Sequence, residues 1–356
     1  MQIDFHHAAT YVIARFSGFD HSQANIISYS AQYVDDATNS GVVRFDNLYL
    51  YSRISSAHKM LDYRNSEELA NHEVWIPFHF LPGNNGKPAG EQADEDPVKK
   101  LICRPNSHVA QDMVAACINE KDKAYGLHLL GITMHVYADT WAHQGFVGVN
   151  HKINDISDIG KNGERDTPFL DRIKNYFVGE AMPLGHGAAL SYPDRPYLEW
   201  EYRNDYLQET IIRNNPKDFL EAADHMSMAM KRWRDGNPNA DVTGLTDDQK
   251  AMIKEKILSF DDEDGEDRHE KWLEAIKNDE FNFGAENLVY IPKGKKSWKH
   301  QALATKKAID LKSDVFHYNP DHSFLRSDWK QFHDALQAHR FYILHDILPK
   351  YNICAA

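Results

Sequence analysis

His135, Asp139 and His143 recur at intervals of four in the apolar run KAYGLHLLGITMHVYADTWAHQGF. On a helix that interval sets successive side chains about 40° apart, so all three project from one stripe. Two imidazoles flanking a carboxylate can hold divalent metal, and Asp139 could bridge two ions. A single buried histidine is ordinarily a hydrogen-bonded core residue. Three aligned polar groups in so apolar a helix are costly to bury without a shared partner, which points to metal. His128, seven residues earlier on the same stripe, reads as a partner that supports the ligands.

Other residues could join this set. Asp35 and Asp36 end a helix, where the dipole disfavours carboxylates, so a cation or metal beside them would compensate. Asp4, His6 and His7 form a cluster near the start of the chain, although Asp4 could equally cap the first helix. His79 stands among aromatics in WIPFHFLPG, and His186 lies between glycines that allow a close backbone approach. Asp194 reads either as a ligand or as a turn residue paired with Arg195. His151 and Asp155 repeat the spacing of four in a polar, loop-rich stretch. So many nitrogen and oxygen donors exceed one tetrahedral zinc and fit a multinuclear site. Metal pairs about 3.5–4 Å apart suit attack on phosphorus, so the reaction class is phosphoester hydrolysis. No GxSxG elbow, P-loop, HExxH or GxGxxG competes.

The elements that must position these groups are mostly helical. The pattern predicts helices over 5–17, from an N-cap at Ser22 to Asp35 and Asp36, and around SSAHKMLDY. The aromatic stretch EVWIPFHFLPG reads as extended, entering a long loop, 82–100, that is a candidate lid or disordered segment. Two helices are expected between Ser107 and His143, the second central because it is apolar on nearly all sides, followed by a loop-rich stretch over 144–196. From about residue 240 the helices become charged and amphipathic. Thr246 and Gln249 form a capping-box pattern, and Ser327 opens a last helix that stops before Pro349. The expected organisation is a metal-binding helical domain, 1–240, with a charged helical extension, 241–356, packed on it.

Composition narrows the function classes. The 356 residues carry a net charge of -13, with 53 acidic against 40 basic side chains, which disfavours a non-specific nucleic-acid binder. No apolar run approaches the roughly 20 residues of a membrane-spanning helix, and the first residues lack the basic and apolar regions of a secretory signal. The expectation is a soluble protein, cytoplasmic or exported without a cleavable signal. Three scattered cysteines make neither a disulfide framework nor a thiolate zinc site, so metal ligands must be His and Asp. Twelve of the twenty histidines fall within the first 186 residues; those in the C-terminal helices sit among Lys, Glu and Asp and read as surface residues.

The ordered series of an early His, a helix-ending Asp, a His in an aromatic segment, then His-x3-Asp and a further His resembles the zinc-dependent phospholipase C and P1-nuclease superfamily of all-helical enzymes. The segments MQIDFHHAATYV, AQYVDDATNSG, SSAHKMLDYRN, WIPFHFLPGN and HVYADTWAHQGF look like a bacterial subgroup of phosphatidylcholine-hydrolysing phospholipases C. The resemblance implies two or three Zn2+ ions held by His6, Asp35 or Asp36, His79, His135, Asp139 and His143, with His186 or His151 completing the cluster. Secreted relatives chelate one zinc through the amine and carbonyl of an N-terminal Trp; this chain begins Met1-Gln2, and Asp4 is the residue expected to substitute. The implied activity is cleavage of phosphatidylcholine to diacylglycerol and phosphocholine by a metal-bound hydroxide, with Asp35 or Asp36 assisting proton transfer. A nuclease or nucleotidase on the same scaffold, and a metal-stabilised effector without turnover, are the alternatives. Tyr137, Trp141 and Phe146 lie near the ligand helix and could face a choline ammonium, although packing is their simpler role. The basic cluster Lys293 to His300 could touch an anionic membrane or be a solvated loop.

Overall fold

A computed structural model describes residues 1–58, 68–91, 96–161, 164–165, 185–318 and 323–355. Over these residues the architecture is mainly helical, with two small sheets. A π-helical turn, Asp4–Ala9, runs unbroken into α1 (Thr10–Phe16). The next helix, α2 (His21–Asp36), opens on a capping box: the Asp20 carboxylate accepts the Gln23 N–H while Gln23 reaches back to the Asp20 N–H. Asp20, two residues before the expected Ser22, is therefore the cap. Its position three residues before a glutamine gives the reciprocal pair that Ser22 lacks.

The central helix is α5 (Gly126–Ala142), preceded by α4 (His108–Asn119), whose N-terminus Ser107 caps as the spacing predicts. Gly131 sets how α5 meets α2. A Cβ there would stand 2.3 Å from the Ile27 carbonyl oxygen and 2.6 Å from Ser30 Cβ, so the two helices touch backbone to side chain and backbone to backbone. This close approach brings the C-terminal end of α2 against the ligand stripe of α5.

EVWIPFHFLPG departs from expectation. Its first part belongs to α3 (Glu68–Phe78), with Pro77 in the last turn. The aromatic, strand-favouring composition yields to packing, because Val74, Ile76 and Phe78 are buried. His79 and Phe80 follow directly, both N–H groups closing on the Trp75 carbonyl. Residues 55–58 form no helix, and the rest of the helix expected around SSAHKMLDY lies outside the described residues. The described parts of 82–100 are irregular but for two short 3-10 turns, Asn84–Gly86 and Pro97–Leu101; residues 92–95 lie outside the described residues.

The first sheet has the order β2-β1-β7: β1 (Gly41–Phe45) pairs antiparallel with β2 (Leu50–Arg53) and parallel with β7 (Val315–Phe316). The second is antiparallel, β4-β3-β5-β6, from β3 (Ile156–Lys161), β4 (Glu164–Arg165), β5 (Glu199–Asn204) and β6 (Glu209–Asn214). Its buried Trp200 and Tyr202 pack with Phe146 over a smaller core.

After β6 come α6 (Asn215–Asp235), α7 (Asp247–Ser259), α8 (Gly265–Lys277), α9 (Trp298–Leu303), α10 (Ser323–Arg326) and α11 (Asp328–Phe341). The Thr246–Gln249 capping box and the Ser327 cap form as expected. Past α11 the chain tightens through a π turn, Tyr342–Ile347, and a 3-10 turn holding Pro349. Ile253, Trp272, Phe332 and Ile347 enter the same core as Val12, Ile132 and Met226, so residues beyond 240 share the core of those before it. Among the described residues no helix is long and apolar enough to cross a membrane.

Candidate metal centre

The α5 stripe forms as its spacing requires, with His135 and Asp139 buried and His143 just past the helix end. Arg213 of β6 fixes that end by donating to the carbonyls of Trp141 at 2.9 Å and Ala142 at 3.2 Å, a cation at the negative pole of the helix. Around the stripe, three His/Asp groups have ligand atoms mutually within 4.8 Å: His6, Asp35 and His135; His79, His135 and Asp139; His143, His186 and Asp194. His135 joins the first two groups, and His143 Nδ1, 3.6 Å from Asp139 Oδ2, brings the third beside them.

Hydrogen bonds outside the cluster fix how several imidazoles face it. His79 Nε2 donates to the Ser56 carbonyl at 2.9 Å, leaving Nδ1 to accept, 3.3 Å from His135 Nε2 and 3.5 Å from Asp139 Oδ2. His143 Nδ1 donates to the His79 carbonyl at 2.7 Å and directs its free Nε2 toward Asp194 Oδ1 at 3.5 Å. His186 Nδ1 donates to the Leu190 carbonyl at 2.9 Å, and its Nε2 stands 3.6 Å from Asp194 Oδ2. In the tautomers these bonds would select for neutral rings, the His143 and His186 lone pairs face Asp194 oxygens. Lone pairs facing carboxylates repel unless a cation lies between them, and a carbonyl that orients the other ring nitrogen is the usual support of a metal-binding histidine.

His6 adds to the case. Its ring stacks on His135 at 3.8 Å between centroids, and its Nε2 lies 3.1 Å from Asp139 Oδ1 without the alignment of a hydrogen bond. Both His6 nitrogens and Asp139 Oδ2 are buried without a hydrogen-bond partner. Burial first, then the neighbouring His135, holds His6 well below the ordinary histidine range, so it is neutral and able to ligate. Asp139 is held well below the carboxylate range: burial opposes this, but His143, the Met1 amine and His135 outweigh it. Buried polar atoms left without partners, on a neutral imidazole and an ionised carboxylate, are what a bound divalent ion would satisfy.

The Met1 α-amine lies 2.7 Å from Asp139 Oδ1 and 3.2 Å from Asp194 Oδ1. Burial would lower its pKa, but those carboxylates outweigh burial and hold it up at about 11. A positive charge thus sits between two of the three carboxylates.

Several expected ligands lie elsewhere. Asp4 faces Arg268 of α8, with Nε 2.6 Å from one carboxylate oxygen and Nη2 3.3 Å from the other, and is not in the cluster. Asp36 accepts from the Tyr290 hydroxyl at 2.7 Å and lies 3.4 Å from Lys293. Neighbouring residues on a helix point about 100° apart, so Asp35 and Asp36 diverge, and Asp35 is the one turned to the centre. His128 sits 3.1 Å from Asp328 at the start of α11 and does not support the ligands. His151 accepts the Ile153 N–H as a helix cap, and its spacing with Asp155 makes no ligand group. Tyr137, Trp141 and Phe146 are buried in packing, leaving no open face for a cation.

Asp194, which the sequence left as either ligand or turn residue, joins the cluster. It stands on a 3-10 turn, Tyr192–Asp194, eight residues after His186, so no regular period links the two. The C-terminal histidines also differ from expectation: His269, His333 and His339 are buried.

The chain belongs to a family of unknown function (DUF6765), whose model matches residues 1–347. No curated protein and no solved structure matches it.

Proposed function

For this member of the family, we propose a metal-dependent phosphoester hydrolase acting on phospholipids, with phosphatidylcholine the substrate carried by the resemblance and Zn2+ the metal suited to the donors. The observation that supports it is the set of three His/Asp groups gathered around Asp139, in which backbone carbonyls orient the His79, His143 and His186 rings toward buried carboxylates. Two or three ions in those groups would supply Lewis acidity to a phosphoryl oxygen and lower the pKa of an attacking water. The chain supplies the rest. Asp139 lies between the His79, His135 and His6 nitrogens and holds the groups in register. Asp35 is 34% exposed at its side chain, against 1% for Asp139 and 11% for Asp194, so it faces the open edge. There it orients the attacking water and takes its proton.

Metal content after chelator-free purification, read with release of phosphocholine from phosphatidylcholine, tests this. At least two zinc-type ions per chain and hydrolysis are expected, and Asp139→Asn should remove metal and lower activity by about 100-fold or more. Less than one ion per chain, or Asp139→Asn with metal and activity intact, would overturn it. Cleavage of single-stranded nucleic acid without cleavage of choline lipids would replace the substrate.

A further inference from the structure

The outer face of the β2-β1-β7 sheet carries apolar side chains on which nothing packs among the described residues. Leu50, Arg44 and Val315 are register partners across the three strands, so they form one row on the exposed face while Val43, Phe45 and Phe316 point into the core. Leu50 is 64% exposed and Val315 58%, with Val42 beside them at 53%. The β1–β2 turn ends in Leu48, 89% exposed, and Tyr49, 59% exposed.

The adjoining segment 293–312 holds seven lysines and one acidic residue, in a chain whose net charge is -13. That acidic residue explains how the segment presents itself. Asp310 turns inward to Arg53 of β2 at 2.8 Å and to Lys299 at 2.6 Å, so its neighbours Ile309 and Leu311 are held outward, 58% and 64% exposed. The Asn39 side chain also donates to the Ala308 carbonyl, tying the segment to the start of the sheet. Lys295, Lys296, Lys306 and Lys312 are exposed and make no ion pair among the described residues.

We propose that this sheet face, its Leu48–Tyr49 tip and the lysine-rich segment 293–312 form one docking surface for an anionic lipid bilayer. Aliphatic side chains rimmed by unpaired lysines match the apolar and anionic layers of a leaflet surface. Leu48, Leu50, Val42 and Val315 offer nothing to a nucleic acid, which favours lipid over phosphate chains. The surface also adjoins the metal centre: Lys293 lies beside Asp36, next in sequence to Asp35, and β1 begins six residues after Asp35. Docking there would set the open edge of the centre near the headgroup layer. The inference rests on the lipid-directed reading for its purpose, but its first test reads binding without turnover, so each can fail alone.

The full chain should cosediment with vesicles of phosphatidylcholine containing phosphatidylserine, less with phosphatidylcholine alone, and less in high salt. Leu48→Asn with Leu50→Thr removes two apolar contacts, and Asn tolerates the left-handed conformation of position 48 (φ 72°), so the variant should fold and bind at least about tenfold more weakly. Neutralising Lys295, Lys296, Lys306 and Lys312 to Gln should weaken binding to anionic vesicles by about fivefold per lysine while leaving the melting temperature unchanged. If the protein hydrolyses choline lipids, both variants should keep full activity on monomeric short-chain phosphatidylcholine and lose it on anionic vesicles. The proposal is overturned by absence of vesicle binding, by folded variants that bind as the parent does, by a dimer that the Leu48 and Leu50 changes dissolve, or by tighter binding to an oligonucleotide than to vesicles.

Discussion

Two sets of histidines in the interior behave differently. His6, His79, His135 and His143, with the half-buried His186, converge on Asp35, Asp139 and Asp194, with ring nitrogens facing shared carboxylates. His7, His269, His333 and His339 are equally buried but lie outside those groups. His7 Nδ1 meets His269 Nε2 at 2.8 Å, and His339 donates to the Pro77 carbonyl at 2.9 Å. Burial holds both members of the first pair low, His269 at about 4, so one neutral ring donates to the other. Burial alone therefore does not mark a ligand; convergence on carboxylates does. The first group should answer to metal and the second to acid.

The strongest way to break this division is through α8, which touches the π turn carrying His6 and His7 with two adjacent residues, Arg268 and His269. Arg268 is fully buried, bonded to Asp4, to the Gln2 side chain at 2.6 Å and to the Asp262 carbonyl at 2.6 Å. Arg268→Leu leaves the Asp4 charge buried and unpaired, at a cost of about 3–5 kcal/mol in denaturant unfolding, and should lower metal content by loosening His6. Adding Asp4→Leu should recover much of the stability. If the single variant unfolds at the parent's midpoint, the clamp is not stabilising.

Chelation separates the groups directly. Metal bound only by the folded chain stabilises it by about 2.7 kcal/mol at a hundredfold excess over Kd, so EDTA should lower the melting temperature of the parent and leave Asp139→Asn unmoved. An equal fall in both would make the effect unspecific. Gly131→Ala comes next. Its Cβ would meet the Ile27 carbonyl oxygen at 2.3 Å and force α2 away from α5, costing about 1–3 kcal/mol. Because α2 carries Asp35 and α5 carries His135, metal affinity should fall with stability. A loss of stability at unchanged affinity would show that the centre tolerates the displacement.

The contrast also explains what could be read from the chain alone. His135, Asp139 and His143 were legible because a regular helix converts spacing into direction. Asp194 was not, since it ends one 3-10 turn while His186 precedes another, and the two meet only through the fold. Asp35 could not be told from Asp36 without knowing which side of α2 faces α5. Asp4 resembled a ligand because its partner, Arg268, is 264 residues away. The helices were visible through caps and period, whereas β5 and β6 were hidden: their buried Trp200 and Tyr202 pack over a small satellite core that no local pattern announces. The C-terminal histidines misled for a related reason, since neighbouring Lys, Glu and Asp do not prevent one face of an amphipathic helix from being buried.

His333 gives the gentlest and cleanest test of that last point. It lies on α11, 2% exposed, with its ring 4.5 Å from the Trp329 ring centroid and its Nδ1 unpartnered. Burial first, then the charge of Arg53, lowers its pKa to about 3, against a bond to the Ile54 carbonyl that acts the other way. The unfolded chain takes up a proton at this position below about pH 6.5, and the folded chain does so only near pH 3. Between those values the unfolded state binds more protons, so stability falls as pH falls, by about 1.4 kcal/mol per pH unit once well below 6.5. His333→Gln keeps an N–H donor for the Ile54 carbonyl and removes the titration. Urea unfolding at pH 7, 6, 5 and 4 should show a shallower loss in the variant than in the parent, with metal content at pH 7 unchanged. Equal slopes would mean that the buried ring is protonated in the folded protein, and burial would then not be what sets its charge.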